Sequence, residues 1–152
     1  MKTLLFVITL VISLTAAAQT DFSGTWKLDK AKSKLNEQFS MAPKEMIIVQ
    51  GGIDFSVEKH IDFQEQVITS KDKYTLDGKE CVNRGFMDTQ KKSTVTCSDD
   101  KKSLKINTKV PFNGEEMTVT EEFRLEEGNL VLVSSAKSSR GELTETYVFI
   151  RN

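Results

Sequence analysis

An all-β fold, one antiparallel up-and-down meander wound into a barrel of eight to ten strands, is what three features of the chain predict. From residue 44 onward, short runs of Val, Ile, Phe, Tyr and Thr alternate with the pairs Gly51-Gly52, Asp77-Gly78, Asp99-Asp100, Asn113-Gly114, Gly128-Asn129 and Arg140-Gly141. Such pairs are hairpin chemistry, because tight β-turns need positive φ and Gly, Asn and Asp adopt it cheaply. No run of ten or more residues there carries a clear 3.6-residue period, which argues against helices. The third feature is that the turns, followed one after another, deliver the apolar side chains to a single face.

At the N-terminus, Lys2, an apolar run from Leu4 to Leu14 and the small residues Ala16-Ala17-Ala18 form the pattern of a cleaved secretory leader over residues 1–18. The run is short for a membrane span and no other follows it, so export to the periplasm or beyond is expected, without stable membrane insertion. Residues 19–152 then form one domain, long enough to bury a core. With 21 basic and 22 acidic residues the chain has a formal charge of −1 and no basic cluster, which excludes nucleic acid as a partner.

The first strand is expected at Phe22-Ser23-Gly24-Thr25-Trp26-Lys27-Leu28. Gly24 lets the backbone bend sharply as the strand begins, and Trp26, the only tryptophan, is placed to plug one end of the barrel. This stretch resembles the opening of the calycin group of closed β-barrels, the lipocalins and fatty-acid-binding proteins, and secreted bacterial lipocalin-like proteins in particular. The resemblance implies a lipocalin-like barrel. It also implies that an Arg from the end of the barrel packs on the tryptophan, a part that Arg151 fits, having the parity of Phe149 on the last strand. Fatty-acid-binding proteins hold a ligand carboxylate with an Arg-x-Tyr pair on that strand. Here the order is Tyr147-Val148-Phe149-Ile150-Arg151, so that site is not reproduced. Their two-helix lid would fall at residues 29–43, where Leu35 and Phe39 stand among Lys and Ser without a helical stripe; an irregular loop over the mouth is expected instead.

Further along, a two-residue turn at Asn113-Gly114 sets Val110 opposite Met117, Thr108 opposite Val119, Ile106 opposite Glu121 and Leu104 opposite Phe123. The other face pairs Lys105 with Glu122 and Asn107 with Thr120, and is wet. The same parity brings Val95, Leu125, Leu132, Tyr147 and Phe149 to the apolar side, together with Met46, Ile48, Phe55, Val57, Phe63, Ile68 and Tyr74. A sheet this long with one apolar face closes or stacks in two layers; sequential hairpins favour the meander barrel over a sandwich. The same inventory also suits a barrel filled by its own side chains.

A hairpin loop near Asp88-Thr89-Gln90 would set Cys81 opposite Cys97 at disulfide spacing, and export permits the bond; two free thiols are the other reading. His60 is the only histidine; it is expected as an exposed strand residue, and neither a multi-histidine metal site nor a histidine-based triad is expected. On the inner face Glu121 is expected opposite Ser134, and Ser134 opposite Tyr147, a polar row in an apolar wall. Glu145 and Asn83 are candidates to join it, with Lys59 facing Asp72 across a neighbouring hairpin.

The function expected is a secreted binding protein for a small hydrophobic or amphipathic ligand inside the barrel. Phe55, Tyr74, Ile106, Phe123, Tyr147 and Phe149 would line the cavity, with Glu121 and Ser134 as polar contacts. The alternative is a protein-binding or inhibitor module acting through its hairpin loops and residues 29–43. Neither an enzyme nor a cofactor or metal site is expected, since no nucleophile with its base, metal set or phosphate loop accompanies the carboxylates.

Overall fold

The computed structural model describes residues 18–152, so the leader expected over residues 1–18 lies, apart from Ala18, outside the described residues. Ten strands follow one another: β1 Gly24–Leu28, β2 Glu45–Gly51, β3 Asp54–Phe63, β4 Gln66–Thr75, β5 Cys81–Arg84, β6 Gln90–Cys97, β7 Ser103–Phe112, β8 Glu115–Glu126, β9 Asn129–Ser138 and β10 Gly141–Arg151. They form one antiparallel sheet in the order β4-β3-β2-β1-β10-β9-β8-β7-β6-β5. The first strand pairs with the last, Trp26 opposite Arg151, and the sheet curls into a nearly closed barrel.

The break lies between β4 and β5, and side chains stitch it. Asn83 Nδ2 donates to the Lys73 carbonyl at 2.9 Å while the Lys73 amide donates to Asn83 Oδ1 at 2.8 Å, so one amide side chain replaces a rung of ladder. The Thr75 amide donates to Cys81 Sγ at 3.3 Å, and Lys91 Nζ lies 2.7 Å from Asp72 Oδ1. Asn83 therefore serves the wall and not the interior polar set.

Why these residues make these strands is plainest at β7 and β8. Asn113 and Gly114 adopt φ of 50° and 80°, a turn whose twist matches the strands it joins. The pairing runs from Val110 opposite Met117 to Leu104 opposite Phe123, with Lys105 opposite Glu122 outside. Elsewhere the turns use less obvious residues: Gln64-Glu65 at φ 47° and 63°, and Glu127-Gly128 at 50° and 81°.

At one end the barrel is packed shut. Trp26, Phe22 and Phe123 are wholly buried; the Trp26 indole donates to the Phe22 carbonyl at 2.9 Å, and Phe22 meets Phe123 edge-on at 6.4 Å. Arg151 covers the indole from outside, its Cζ 4.5 Å from the ring centroid, and donates to the Ser23 carbonyl at 3.2 Å. Gly24 sits beneath at φ 149°, a conformation that requires glycine; a Cβ there would also meet Arg151 Nη1 at 2.9 Å and push the end of that side chain aside.

Four expectations are corrected. Cys81 and Cys97 are free thiols, because the β5–β6 hairpin turns earlier than Asp88-Thr89-Gln90: Cys81 pairs with Ser93, and Cys97 pairs with Leu104 on the far side of β6. Tyr147 pairs with Leu132 and Ser134 with Glu145, because the last hairpin has Ser139 and Arg140 at its tip rather than Arg140 and Gly141. Lys59 pairs with Ser70, and Asp72 takes Lys91 as its counter-charge. Leu125 and Ile68 share the inward parity but lie near strand ends, 36% and 37% exposed. Residues 29–43 hold no helix; they run beside β10 through a Lys34–Thr146 bridge and tuck Leu35 and Ala42 against the core.

Arg151→Ala is expected to cost about 0.5–1 kcal/mol, the worth of an exposed cation–π contact. Gly24→Ala should cost about 1–3 kcal/mol through backbone strain and the clash. Because the clash is with Arg151, the double variant should lose less than the two losses combined. Urea unfolding followed by Trp26 fluorescence checks this, and strict additivity would show that Gly24 and Arg151 do not press on one another.

Candidate functional site

Along each long strand the inward face changes character in one direction. On β3, Phe55 and Val57 are buried while Lys59, Ile61 and Phe63 are half-buried. On β8 the order is Phe123 and Glu121 buried, then Val119 and Met117 half-buried; on β10 it is Phe149, Tyr147 and Glu145 buried, then Leu143 half-buried. The half-buried positions all lie toward the end bearing the 63–66, 112–115 and 138–141 hairpins. The barrel is filled at the Trp26 end and admits solvent at the other.

The filled end holds much of the expected ligand wall. Phe55, Ile106, Phe123 and Phe149 are 0–1% exposed and pack on one another, Phe55 against Phe123 at 5.8 Å and Tyr147 against Phe149 at 6.3 Å. No water-sized space adjoins them, so in this conformation they form a floor. Tyr74, Glu121, Ser134 and Tyr147 lie above that floor, at the boundary with the open half.

This boundary is polar and linked across the lumen. Lys59 Nζ on β3 reaches Glu121 Oε1 on β8 at 2.5 Å, and four strands separate β3 from β8 around the wall. Their side chains are only 15% and 11% exposed, so the pair is largely dry. Beside it Lys91 Nζ lies 2.7 and 2.8 Å from the two oxygens of Asp72, to which Ser70 Oγ also donates at 3.2 Å. Tyr147 Oη donates to Glu145 Oε2 at 2.6 Å, and the Asn36 amide donates to Glu145 Oε1 at 2.7 Å. Ser93 and Thr108 share a buried hydroxyl pair at 2.9 Å.

Both phenols here stay protonated. Burial pushes Tyr74 far up, reinforced by the charges of Glu121 and Asp72. Burial does the same to Tyr147, helped by its bond to Glu145, while a hydrogen bond from Ser134 works in the opposite direction. Tyr147 is thus a fixed donor to the Glu145 carboxylate.

Sequence reading located Glu121, Ser134 and Tyr147 here and named Glu145 as a candidate. It missed that Lys59 answers Glu121 across the barrel, since that contact joins strands not adjacent in the sheet. Parity alone does mark Lys59, Asp72 and Lys91 as charges on an inner face, which was the available signal. His60 sits between Glu45 Oε1 at 3.1 Å and Glu58 Oε1 at 2.8 Å, in a surface pairing remote from this cluster. Among the described residues no group of three or more metal-ligating side chains comes together. An outer groove of about 550 Å³ beside Lys32, Glu126, Glu127 and Val131 is open to water and lacks the apolar enclosure of a lipophilic site.

Removing one partner of a dry ion pair leaves the other unpaired and costs about 3 kcal/mol, whereas removing both with apolar replacements recovers much of the loss. Lys59→Met and Glu121→Leu are expected to behave so, singly and together, in chemical denaturation. Additive losses would show that the two do not interact.

No family model and no curated protein matches the chain. Solved structures do. Human cRBP IV, a cellular retinol-binding protein, is similar at 19% identity with a TM-score of 0.60, over 88% of this chain and 99% of that one. A SAHS protein from Ramazzottius varieornatus is similar at 14% identity and TM-score 0.63, over 90% and 98%. Zebrafish ileal bile acid-binding protein, solved with cholic acid, is similar at 19% identity and TM-score 0.56, over 86% and 98%. At such identities the likeness establishes the fold: the chain is a ten-stranded, nearly closed barrel of the kind that calycin lipid-binding proteins adopt.

Proposed function

We infer that this protein is a non-enzymatic carrier of a small lipophilic or amphipathic molecule, exported by its N-terminal leader to the periplasm or beyond, which takes its ligand in the open half of the barrel. The observation that carries the reading is the half-buried apolar wall of Ile61, Phe63, Val110, Met117, Val119 and Leu143, inward in parity yet in reach of solvent. Inward-facing apolar side chains that stay in reach of solvent above a packed floor suit a lipophilic guest better than a wholly filled scaffold. That similar structures include a retinol-binding and a bile acid-binding protein supports a lipophilic cargo.

A second reading, a module that binds a protein partner through its loops, has one observation in its favour. Phe39, Met41, Val67, Met87 and Phe112 are 54%, 38%, 55%, 82% and 51% exposed, all near the open end.

The carrier reading predicts that Nile red, a neutral lipophilic dye, brightens and shifts to the blue on binding. Replacing Met117 with Glu should weaken that binding about tenfold or more, since a charge would stand in the apolar wall. Phe112→Ser on the rim should change it little. Failure to take up the dye, or loss through the rim residue alone, would favour the second reading.

A further inference from the structure

Resting on the carrier reading, we propose that the cargo is an amphiphile with a protonated primary amine head, and that Glu121, Ser134 and Glu145 receive the head. The three stand directly opposite one another on β8, β9 and β10: Glu121 pairs with Ser134, and Ser134 with Glu145. Neighbours so paired lie about 5 Å apart between Cα atoms, so the row offers a hydroxyl flanked by two carboxylates. An ammonium has three N–H donors and no acceptor, and this row supplies acceptors on three sides.

The next inward row toward the open end is Val119, Ala136 and Leu143, again directly opposed. An alkyl chain rising from the polar row runs along this apolar one to the mouth. The row below is Phe123, Leu132 and Tyr147; Phe123 and Leu132 belong to the packed floor and Tyr147 stands at its upper edge, which sets the depth at which the head stops.

Charge decides the sign of the head. Within the cluster stand two ammonium groups, Lys59 and Lys91, and three carboxylates, Asp72, Glu121 and Glu145. Lys59 and Lys91 are each already seated on a carboxylate. Glu145, only 5% exposed, is held by two neutral donors, the Tyr147 phenol and the Asn36 amide, and has no cation within ion-pair distance among the described residues. An anionic head would have to take a lysine from its carboxylate and leave that carboxylate buried and unpaired. A cationic head adds the counter-charge that Glu145 lacks. Lys59 shows that the row accepts such a group, since its own ammonium already sits on Glu121 Oε1.

The test is displacement of Nile red at pH 7 by dodecylammonium, 1-dodecanol and dodecanoate, three probes of one chain length, each kept below its micellar concentration. Dodecylammonium should displace the dye at a concentration about tenfold or more below dodecanoate, with dodecanol between. Glu145→Gln, which keeps the shape and removes the charge, should shrink the amine-to-alcohol ratio several-fold; if that variant does not fold, Ser134→Ala takes its place. Dodecanoate equalling or beating the amine on the unaltered protein overturns the inference and leaves the carrier reading standing. Displacement by none of the three removes both together.

Discussion

A two-residue hairpin turn hands the facing of side chains from one strand to the next without change, and everything inside this barrel follows from that constraint. Nine connections separate β1 from β10, and the inward set still closes: Trp26 on the first strand and Phe149 on the last lie in the same wholly buried core. Had one connection reversed the parity, the aromatic floor would have been split between the lumen and water.

The same constraint explains which errors a reader of the sequence makes. The Asn113-Gly114 turn declares both its position and its conformation, and the β7–β8 register is legible residue by residue. Moving a two-residue tip by one position changes every partner by two and leaves every face as it was. This is why Tyr147 keeps its inward place while its partner becomes Leu132 instead of Ser134; in the β5–β6 hairpin the centre moves by two positions, so Cys81 stays inward but meets Ser93, four residues short of Cys97. The face of a residue is therefore robust to error and its partner is not, so a disulfide, which needs the partner, was the weakest inference available. Gln64-Glu65 gave no turn signal at all, because two long polar residues adopt positive φ there at a cost that the paired strands on either side bear.

Contacts across the lumen lie beyond any such reading. Parity says that Lys59 and Glu121 both point inward, but their meeting depends on how far the barrel has curled. Burying five ionisable groups is expensive, and similar fillings with apolar side chains would commonly be as stable or more so. The floor shows that this chain has the residues to fill space tightly. That it stops doing so at the level of Glu121 and Lys59 makes the polar cluster the boundary between the packed floor and the half-buried wall above it.

Of the two arms of the cluster, only one can be engaged without disturbing the wall. Asp72 and Lys91 belong to β4 and β6, and their contact is one of the few ties across the break between β4 and β5. A ligand drawing on either would compete with closure of the barrel. Glu121, Ser134 and Glu145 sit on three consecutive strands joined by unbroken ladders, so hydrogen bonds to a guest there cost the wall nothing. Glu145 is also tied to the Asn36 amide, which couples the same arm to the loop of residues 29–43. A head group at Glu145 would thus be felt by that loop through the Asn36 hydrogen bond, while the Lys34–Thr146 bridge and the turns capped by Asp29 and Asn36 hold the rest of the loop in place.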